Sequence, residues 1–398
     1  MKIAVNLLYL VSDTKNGVGK HVEDILTGME KLNVLDKFYL IIQKTFYDHY
    51  LCLRQANRSL EDVNFIICRE GRLFRRVAEK LGRWESFARA IYLNFFVMPS
   101  LLKTNDLDLM FNPFNEATNN ISLKYPIVTV VHDLFYKNFP KRKKYLPSRL
   151  YALYVHNKHK AMLKKAKKVV AISEFVKSDI IKHFPAVSKN NIVVIPNAVI
   201  LPEETSVPAG IKKPFLLYVS EHGIHKNHLT LLKAYNIVKN KIPHRLVLLG
   251  KQREETSNIK KYIQENTLGE KIDLMSNVSD AERNWLYKNA DLFISPSLHE
   301  GFGRTPVEAA IAGCMVLTSR ETSLPEVTRE MLNYYEPATD ENALAAKILE
   351  LLQNPIPEKK REEIAMMFRE IYDPVRVAGM YYDLFQEVVL QKNKDRII

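Results

Sequence analysis

The sequence predicts an α/β protein with two parallel β-sheets, each covered by helices. Short apolar runs of strand length alternate with amphipathic stretches of helical length along most of the 398 residues, and this alternation is typical of parallel sheets. The alternation stops once, between residues 196 and 213, where Pro202, Pro208 and Gly210 cluster and no hydrophobic period is visible. It then resumes, which indicates two domains of similar size with a linker between them.

The first half of the chain contains seven apolar runs with the length of a buried strand. They cover residues 2–8, 38–43, 63–68, 107–112, 127–132, 169–172 and 192–195. Helices fit between several of these runs, over residues 19–31 and 83–102. A further helix is predicted after Ser173, whose side chain suits an N-cap, with Glu174 in the first turn.

The second half repeats the pattern and ends in a helix. Its apolar runs cover residues 215–220, 245–250, 271–275, 292–295 and 315–318. Residues 373–390 place apolar side chains on one helical face, and the tail 391–398 is expected to fray. We therefore predict an N-terminal domain, a linker, a C-terminal domain and a last helix that packs back on the N-terminal domain. Their bounds are residues 1–198, 199–213, 214–372 and 373–398.

Composition limits the class of protein. The apolar fraction of 46% is that of an ordinary globular protein, and no uninterrupted apolar run approaches the roughly 18 residues of a membrane span. The run over residues 1–10 is too short for a cleaved leader and fits a buried strand instead. Cys52, Cys68 and Cys314 are odd in number and lack metal spacing, which predicts a reducing cytoplasm and no disulfide framework.

The net charge of +13 is unevenly distributed along the chain. Residues 137–168 carry twelve Lys and Arg and no Asp or Glu, with Tyr and Leu side chains between them. This basic amphipathic stretch favours an anionic membrane surface or a phosphate-bearing acceptor as a partner. Nucleic acid and a solvated helix face are the alternatives, but no nucleic-acid motif accompanies the charge. We expect a cytoplasmic protein, peripheral on the inner face of the membrane.

Two carboxylates in the second half, Glu300 and Glu308, stand eight residues apart around the predicted start of a helix. Pro306 suits the first helical turn because its missing N–H would have no partner there, and Gly313 supplies a stop. Glu300 is therefore expected on the preceding loop and Glu308 in the first turns of the helix. The alternative is a helix start with ordinary solvated acids.

The turn between the two acids is rich in glycine. Gly301, Phe302 and Gly303 precede Arg304 and Thr305, and glycine allows backbone N–H groups to approach a ligand closely. The N-terminus of a helix binds phosphate oxygens through its N–H groups, whereas carboxylates accept hydrogen bonds from sugar hydroxyls. The arrangement predicts a site for a nucleotide sugar.

A second polar cluster leaves an apolar strand and enters a helix. It contains Ser220, His225 and Lys226, and Lys226 places a positive charge at a strand-to-helix turn, where a diphosphate would be held. The alternative is a surface lysine, which the helix dipole disfavours. The three histidines of this segment do not have the spacing of a zinc site. Asp106 and Asp108, a second candidate for metal binding, are interpreted as part of a turn. No metal is therefore expected.

The first half offers two weaker features. Gly17 and Gly19 let the backbone approach a ligand at a helix start, although the residues around them do not form a P-loop. His132 ends an apolar run, and at the carboxyl end of a parallel strand it is expected to face a cleft where ligands bind. A plain turn and a satisfied polar side chain are the respective alternatives.

Several stretches together resemble the retaining glycosyltransferases of family 4, which have the GT-B fold of two Rossmann-like domains facing each other across a cleft. The stretches occur in family order and cover residues 16–20, 129–134, 169–175, 193–199, 225–227, 278–280, 295–310 and 323–327. The chain departs from the pattern at His225, where the family usually has Arg, and at Ser220 and Ala198, where it has Gly. The resemblance implies an enzyme that needs no metal or cofactor and uses a nucleotide sugar as co-substrate.

The resemblance also implies roles for individual residues. The catalytic set would be Glu300 on the sugar hydroxyls, Lys226 on the diphosphate and His132 beside the reacting carbon. Glu308 would bind the ribose hydroxyls. The other donor contacts would come from Gly17, Gly19, Ser220, His225, Asn277, Val278, Gly301, Phe302, Gly303, Arg304 and Thr305.

Within the family, the stretch over residues 129–134 resembles that of mannosyl and related transferases of surface-polysaccharide assembly. This likeness favours GDP-mannose over a UDP-hexose as donor. The acceptor is expected to be a glycan or a lipid-linked glycan, and the basic stretch 137–168 favours a lipid-diphosphate-linked glycan at the cytoplasmic face of the membrane. Two alternatives stay open: an epimerase or phosphorylase on the same fold, and a non-catalytic subunit that binds a nucleotide sugar.

Overall fold

A computed structural model describes most of the chain. The described residues are 1–8, 17–43, 63–68, 106–114, 125–138 and 148–394, with Phe74, Lys80 and Tyr92 at isolated positions. Apart from Tyr92, which is helical, the predicted helix 83–102 lies outside the described residues, as do residues 139–147 of the basic stretch. The chain forms two compact units, one of Met1–Ala198 with Pro374–Ile398 and one of Val199–Asp373.

The first unit contains a sheet of seven parallel strands. They are β1 Ile3–Asn6, β2 Phe38–Gln43, β3 Asn64–Cys68, β4 Leu109–Asn112, β5 Ile127–Val131, β6 Lys168–Ala171 and β7 Ile192–Val194. Their order is β3-β2-β1-β4-β5-β6-β7, with Ile3 beside Phe38 on one side and Leu109 on the other. The strands β1, β4 and β5 are buried along their whole length, as parallel strands covered on both faces are.

Helices of the first unit come from both ends of the chain. Those that the described ranges contain in full are α1 Gly17–Lys31, α2 Phe135–Asn138, α3 Ser148–Lys165, α4 Glu174–His183 and, after the helices of the second unit, α12 Pro374–Lys394. Ser173 caps α4 as predicted, since its Oγ accepts a hydrogen bond from the Val176 N–H at 3.1 Å. Helix α12 packs along α1 so closely that a Cβ on Gly28 would lie 2.1 Å from the Pro374 carbonyl oxygen.

The second unit contains a sheet of six parallel strands. They are β8 Phe215–Val219, β9 Arg245–Leu249, β10 Ile272–Met275, β11 Leu292–Ser295, β12 Val316–Ser319 and β13 Asn333–Tyr335. Their order is β10-β9-β8-β11-β12-β13, so the direction in which strands are added reverses between β8 and β11. The sequence predicted the first five of these strands and missed β13.

The helices of the second unit cover its sheet. They are α5 His228–Val238, α6 Thr256–Glu265, α7 Asp280–Asn289, α8 Arg304–Ile311, α9 Leu324–Val327, α10 Glu341–Gln353 and α11 Glu358–Ile371. Residues 199–213, which the prolines predicted to be a linker, belong to this unit. Although prolines keep the segment out of helices and strands, it still hydrogen-bonds to α7: Asn284 Nδ2 donates to the Pro202 carbonyl at 2.5 Å.

The predicted fold class is confirmed, because both units are parallel sheets with helices packed on them. Among the described residues, no helix combines the length and the apolar character that crossing a bilayer requires.

Candidate active site

The second unit brings Lys226 and Glu300 together at the point where its strand order reverses. Lys226 ends a 3₁₀ turn, Ile224–Lys226, that follows β8, and Glu300 lies on the loop that follows β11. The strands β8 and β11 are neighbours in the sheet, so their carboxyl ends lie side by side. Open α/β sheets bind ligands in the crevice at such a point.

Lys226 and Glu300 form a close, largely buried ion pair. The Nζ of Lys226 donates to Oε1 of Glu300 at 2.6 Å, and the two side chains are 17% and 14% exposed. Burial acts to raise the pKa of Glu300, but the charge and the hydrogen bond of Lys226 outweigh burial and lower the pKa. Glu300 is therefore a carboxylate at neutral pH, and the pair presents one cation and one hydrogen-bond acceptor.

Asn227 ties the two loops together. It has a left-handed backbone, with φ of 57°, and starts α5. Its Nδ2 donates to the carbonyl oxygens of Pro296 and Ala338 at 3.0 and 2.9 Å, and the Leu298 N–H donates to the His225 carbonyl at 2.8 Å. Asn227 is absent from the predicted site residues, although an asparagine between a loop and a helix is a signal, because Asn tolerates positive φ.

The loop after β12 holds the backbone of Glu300. Oγ1 of Thr322 accepts from the Glu300 N–H and donates to the Glu300 carbonyl, both at 3.0 Å. Oγ of Ser323 donates to the same carbonyl at 2.9 Å. The position of Glu300 is therefore fixed through its backbone as well as through Lys226.

The turn between the two acids has the predicted backbone. Gly303 caps α8 with φ of 81°, and a Cβ there would lie 2.5 Å from Cδ2 of Leu324. Pro306 is in the first turn of α8, and Gly313 follows the end of the helix with φ of 83°. Glu300 precedes the helix, as predicted.

Phe302 and the residues beside it in the turn can contact a ligand mainly through their backbone groups. Phe302 is 3% exposed and packs edge-on against Tyr372, with ring centroids 5.3 Å apart, so its side chain belongs to the hydrophobic core. Gly301 and Thr305 are half-buried. Because the first N–H groups of any helix have no partner within it, the start of α8 is suited to an anion.

Glu308 lies on α8, as predicted, in a second ion pair. Its Oε1 accepts from Nε of Arg304 at 2.7 Å, and its Oε2 accepts from the Tyr287 hydroxyl at 2.9 Å. The side chains of Arg304 and Glu308 are 14% and 5% exposed. Burial acts to lower the pKa of Arg283, but the charge of Glu308 raises it above its usual value. Arg283 and Tyr287 lie one turn apart on α7 and were not predicted, because the contact between α7 and α8 is tertiary.

The remaining predicted residues of the second unit follow the carboxyl ends of β8 and β10. Ser220 comes directly after β8, and His225 lies in the 3₁₀ turn, where it is 9% exposed. Asn277 and Val278 lie between β10 and α7, where Asn277 is exposed with φ of 57° and Val278 is half-buried.

Two buried histidines lie near Lys226 in sequence. His222 and His228 are each 3% exposed, and their rings meet edge to face with centroids 5.0 Å apart. Nδ1 of His222 lies 3.0 Å from the Thr256 hydroxyl. Burial lowers the pKa of both histidines. The described part of the chain contains no group of three side chains arranged to hold a metal ion.

The predicted residues of the first unit lie in α1 and after β5. Gly17 and Gly19 belong to the first turn of α1. Nε2 of His132 lies 2.7 Å from the Pro113 carbonyl and donates to it, since a carbonyl oxygen only accepts. Burial lowers the pKa of His132, so its imidazole is neutral at pH 7. The ring of His21 meets it edge-on, with centroids 4.8 Å apart.

Helix α3 carries much of the described part of the basic stretch. Leu153 and Tyr154 are 55% and 42% exposed, and Nζ of Lys158 lies 5.9 Å from the centre of the Tyr154 ring. Lys160 and Lys164 are also exposed. The helix therefore presents both cations and apolar side chains at its surface.

Two family models cover most of the chain between them. "Glycosyltransferase Family 4" matches residues 15–201, and "Glycosyl transferases group 1" matches residues 203–367. The chain belongs to these glycosyltransferases. Glu300, Glu308 and Lys226 all fall within the group 1 match, whereas His132 falls within the family 4 match.

Curated relatives in the family include mannosyltransferases. The chain is 28% identical to O-antigen chain mannosyltransferase B of Escherichia coli, over 57% of the chain and 61% of that protein. It is 24% identical to O-antigen chain mannosyltransferase RfbU of Salmonella typhimurium, over 75% and 85%. It is 25% identical to GDP-mannose:cellobiosyl-diphosphopolyprenol alpha-mannosyltransferase of Xanthomonas oryzae pv. oryzae, over 51% and 54%. The first and third matches thus span less than two thirds of the relatives' length.

Solved structures share the fold over nearly the whole length. HepE of Anabaena in complex with UDP aligns with a TM-score of 0.68, covering 97% of this chain and 100% of that chain at 14% identity. The shared architecture is the GT-B fold, as the sequence resemblance implied.

Proposed function

We propose that this glycosyltransferase transfers a hexose, with retention of configuration, from a nucleoside diphosphate sugar to a hydroxyl group of a glycan. The observation that carries the proposal is the buried pair of Lys226 and Glu300, at 2.6 Å, where the strand order of the second sheet reverses. An ammonium group binds phosphate oxygens, and a carboxylate accepts hydrogen bonds from sugar hydroxyls. A nucleotide sugar carries both kinds of group on adjacent parts of one molecule.

The donor contacts that we propose besides this pair are those that the sequence resemblance implies. Lys226 binds the diphosphate, assisted by N–H groups at the start of α8, and Glu300 binds the sugar hydroxyls. Glu308 binds the ribose. Further donor contacts come from Gly17, Gly19, Ser220, His225, Asn277, Val278, Gly301, Phe302, Gly303, Arg304 and Thr305. His132, neutral because burial lowers its pKa, acts as a hydrogen-bonding group beside the reacting carbon.

In the reaction, the acceptor hydroxyl attacks the anomeric carbon from the face that the diphosphate leaves. The carbon–oxygen bond to the diphosphate breaks as the new glycosidic bond forms, and the departing phosphate oxygen takes the acceptor proton. Negative charge grows on that oxygen, so Lys226 and the helix N–H groups stabilise the transition state more than the ground state. These groups supply the stabilisation without a metal ion or another cofactor.

GDP-mannose is the proposed donor. In its support, three of the curated relatives are named mannosyltransferases, and the name of one of these includes GDP-mannose. The name of that relative also includes a diphosphopolyprenol-linked acceptor. We infer a lipid-diphosphate-linked glycan as acceptor here, approached at the cytoplasmic face of the membrane.

Membrane association is proposed through α3. Exposed Leu153 and Tyr154 would enter the interface, while Lys160 and Lys164 attract anionic headgroups. Vesicles of anionic phospholipid should bind the protein, and vesicles of neutral phosphatidylcholine should not. A Leu153→Gln/Tyr154→Gln variant should bind the anionic vesicles several-fold more weakly.

The transfer reaction is tested with radiolabelled GDP-mannose and UDP-hexoses and a membrane extract that contains lipid-linked glycans. Wild-type protein should move label into the lipid fraction from GDP-mannose, and Lys226→Gln or Glu300→Gln should lower the rate by a factor of about 100 or more. The control is Arg245→Gln, which breaks a similar Arg245–Asp273 pair of 2.6 Å at the amino ends of the strands. Isomerised or phosphorolysed sugar without transfer would contradict the proposal, as would unchanged rates in both site variants.

A further inference from the structure

Each acid of the site is held by its own cation. Lys226 holds Glu300 at 2.6 Å, and Arg304 holds Glu308 at 2.7 Å. All four side chains are less than one fifth exposed. The two pairs therefore neutralise the carboxylates that the proposed function assigns to hydroxyl groups of the donor.

The pair of Arg304 and Glu308 is poorly placed for stabilising its own helix. Arg304 is the first residue of α8, where the positive end of the helix dipole disfavours a cation. The order of charges, cation first and acid four residues later, is also the less favourable one along a helix. Burying an ion pair costs desolvation energy that mutual attraction often fails to recover. Helix stability therefore does not explain why an arginine occupies this position.

Two guanidinium groups act on the carboxylate of Glu308, and the second of them also pairs with a largely exposed acid. Besides Arg304, the guanidinium of Arg283 interacts electrostatically with the same carboxylate, and its other acid partner, Asp280, is 58% exposed. Among the described residues, Nε of Arg283 is buried without a hydrogen-bond partner. The N-terminus of α8 adds partial positive charge. Such a cluster is suited to an anion.

We propose that the Arg304 side chain is a phosphate-binding group that rests on Glu308 and transfers to the diphosphate when a nucleoside diphosphate binds. The transfer frees Oε1 of Glu308 to accept a hydrogen bond from a ribose hydroxyl. A guanidinium is suited to this role because it forms paired hydrogen bonds with phosphate oxygens. Binding is then an exchange, in which phosphates take the cations and hydroxyls take the acids. This inference rests on the proposed function.

Inorganic pyrophosphate is the probe that isolates the phosphate contact, because it has no ribose for Glu308 to bind. Calorimetry on the full chain should show that Arg304→Gln weakens pyrophosphate binding about tenfold or more. Arg304→Lys, which keeps the positive charge, should lose less affinity for pyrophosphate than Arg304→Gln. Glu308→Gln should tighten binding, because the arginine is no longer held by an opposite charge. Arg245→Gln is the matched control and should bind pyrophosphate like the wild type.

A purely structural role for Arg304 makes a different forecast. If Arg304 only orients Glu308, pyrophosphate affinity is the same in Arg304→Gln, Glu308→Gln and wild type, and that result would overturn the inference. Failure of the wild type to bind pyrophosphate would overturn it as well. Circular dichroism and thermal midpoints show whether each variant is folded.

The same experiment separates this inference from the function on which it rests. A wild type that neither binds GDP or UDP nor transfers sugar contradicts the proposed function. A different outcome would contradict only the assignment of Arg304. In that outcome the wild type transfers mannose, Lys226→Gln no longer binds pyrophosphate, and Arg304→Gln still binds it.

Discussion

At the scale of single residues, the most informative contact is the ion pair of Lys226 and Glu300. It is mostly buried, so each charge depends on the other for the interactions that water would supply. Removing one partner leaves an unpaired charge, whereas removing both leaves two neutral amides that can hydrogen-bond. The stability of variants therefore reports whether the pair forms in solution.

We expect Lys226→Gln and Glu300→Gln each to lower the free energy of unfolding by about 1–3 kcal/mol, and the double variant to lower it by less than their sum. Urea unfolding followed by circular dichroism measures this. Independent, additive effects of the two substitutions would contradict a direct pair.

The stability that the Lys226–Glu300 pair contributes should fall as the pH is lowered. Lys226 lowers the pKa of Glu300 from its ordinary value of 4.5 in the folded protein, so unfolding takes up a proton in acid. The stability from the pair is complete above pH 4.5 and is lost as the pH falls through the lowered pKa. The advantage of wild type over Glu300→Gln should therefore shrink below pH 4.5, and an advantage that grows there would contradict the assignment.

Gly303 and Gly313 have the same backbone conformation, so alanine substitutions at the two positions distinguish the cost of backbone strain from the cost of overpacking. Gly303 and Gly313 have φ of 81° and 83°, but a Cβ on Gly303 meets Leu324 at 2.5 Å while Gly313 faces open space. Gly313→Ala should cost about 1–2 kcal/mol from the left-handed backbone alone. Gly303→Ala should cost about 1–3 kcal/mol more, from overpacking. Equal losses in thermal or urea unfolding would show that Leu324 moves aside freely.

The positions of single residues could be predicted from the sequence where chain order determines the neighbours. Glu300 and Lys226 each follow an apolar strand, and parallel strands carry their carboxyl ends to one edge, so their proximity follows from the pattern. The contacts of Glu308 do not follow from it. Tyr287 reaches Glu308 from α7, and no periodicity in either helix specifies which of their side chains meet. The roles assigned to these residues stay predictions.

At the scale of elements, buried strands were easier to predict than the short strand β13 at the edge of the second sheet. A parallel strand buried on both faces is a nearly continuous apolar run, and β11 matches its predicted residues 292–295. Strand β13 was missed because it has only three residues, two of them half-buried, at the edge of the sheet. Such a segment carries too few apolar positions to differ from a loop.

The contact between α1 and α12 depends on a glycine. A Cβ on Gly28 would lie 2.1 Å from the Pro374 carbonyl oxygen and 2.6 Å from Cβ of Ala378, so the backbones approach too closely for any side chain. Gly28→Ala should force α12 away and cost about 3 kcal/mol. Gly379→Ala, in the same helix α12 but facing open space, should instead stabilise by up to about 1 kcal/mol. Thermal unfolding of the two variants tests this, and similar midpoints would contradict close packing.

At the scale of the whole molecule, the six-stranded sheet repeats the order of the first six strands of the seven-stranded sheet, and both units bury histidines. The second unit buries His222 and His228, whose pKa values burial lowers below 6.5. For His228, the charges of His222, Lys226 and His225 add to this effect, and for His222 that of Lys260 does. Both rings are neutral in the folded unit at pH values where the unfolded chain binds protons.

The second unit should therefore lose stability as the pH falls below 6.5. Each neutral buried histidine contributes up to about 1.4 kcal/mol per pH unit in that range, because the unfolded chain binds the extra proton. Trp285 lies in this unit, and Trp84→Phe makes it the only tryptophan of the chain. Its fluorescence in urea should show a shallower pH dependence for His228→Phe than for its parent. Identical slopes would contradict a neutral His228.

The first unit is assembled from both ends of the chain, because α12 packs on α1 although the whole second unit lies between them in sequence. Protein synthesis proceeds from the amino end, so every residue of the second unit emerges from the ribosome before α12 does. The second unit can therefore complete its fold before the first unit, although most of the first unit is synthesised earlier. Until α12 has emerged, the face of α1 that it covers in the folded unit stays exposed to solvent.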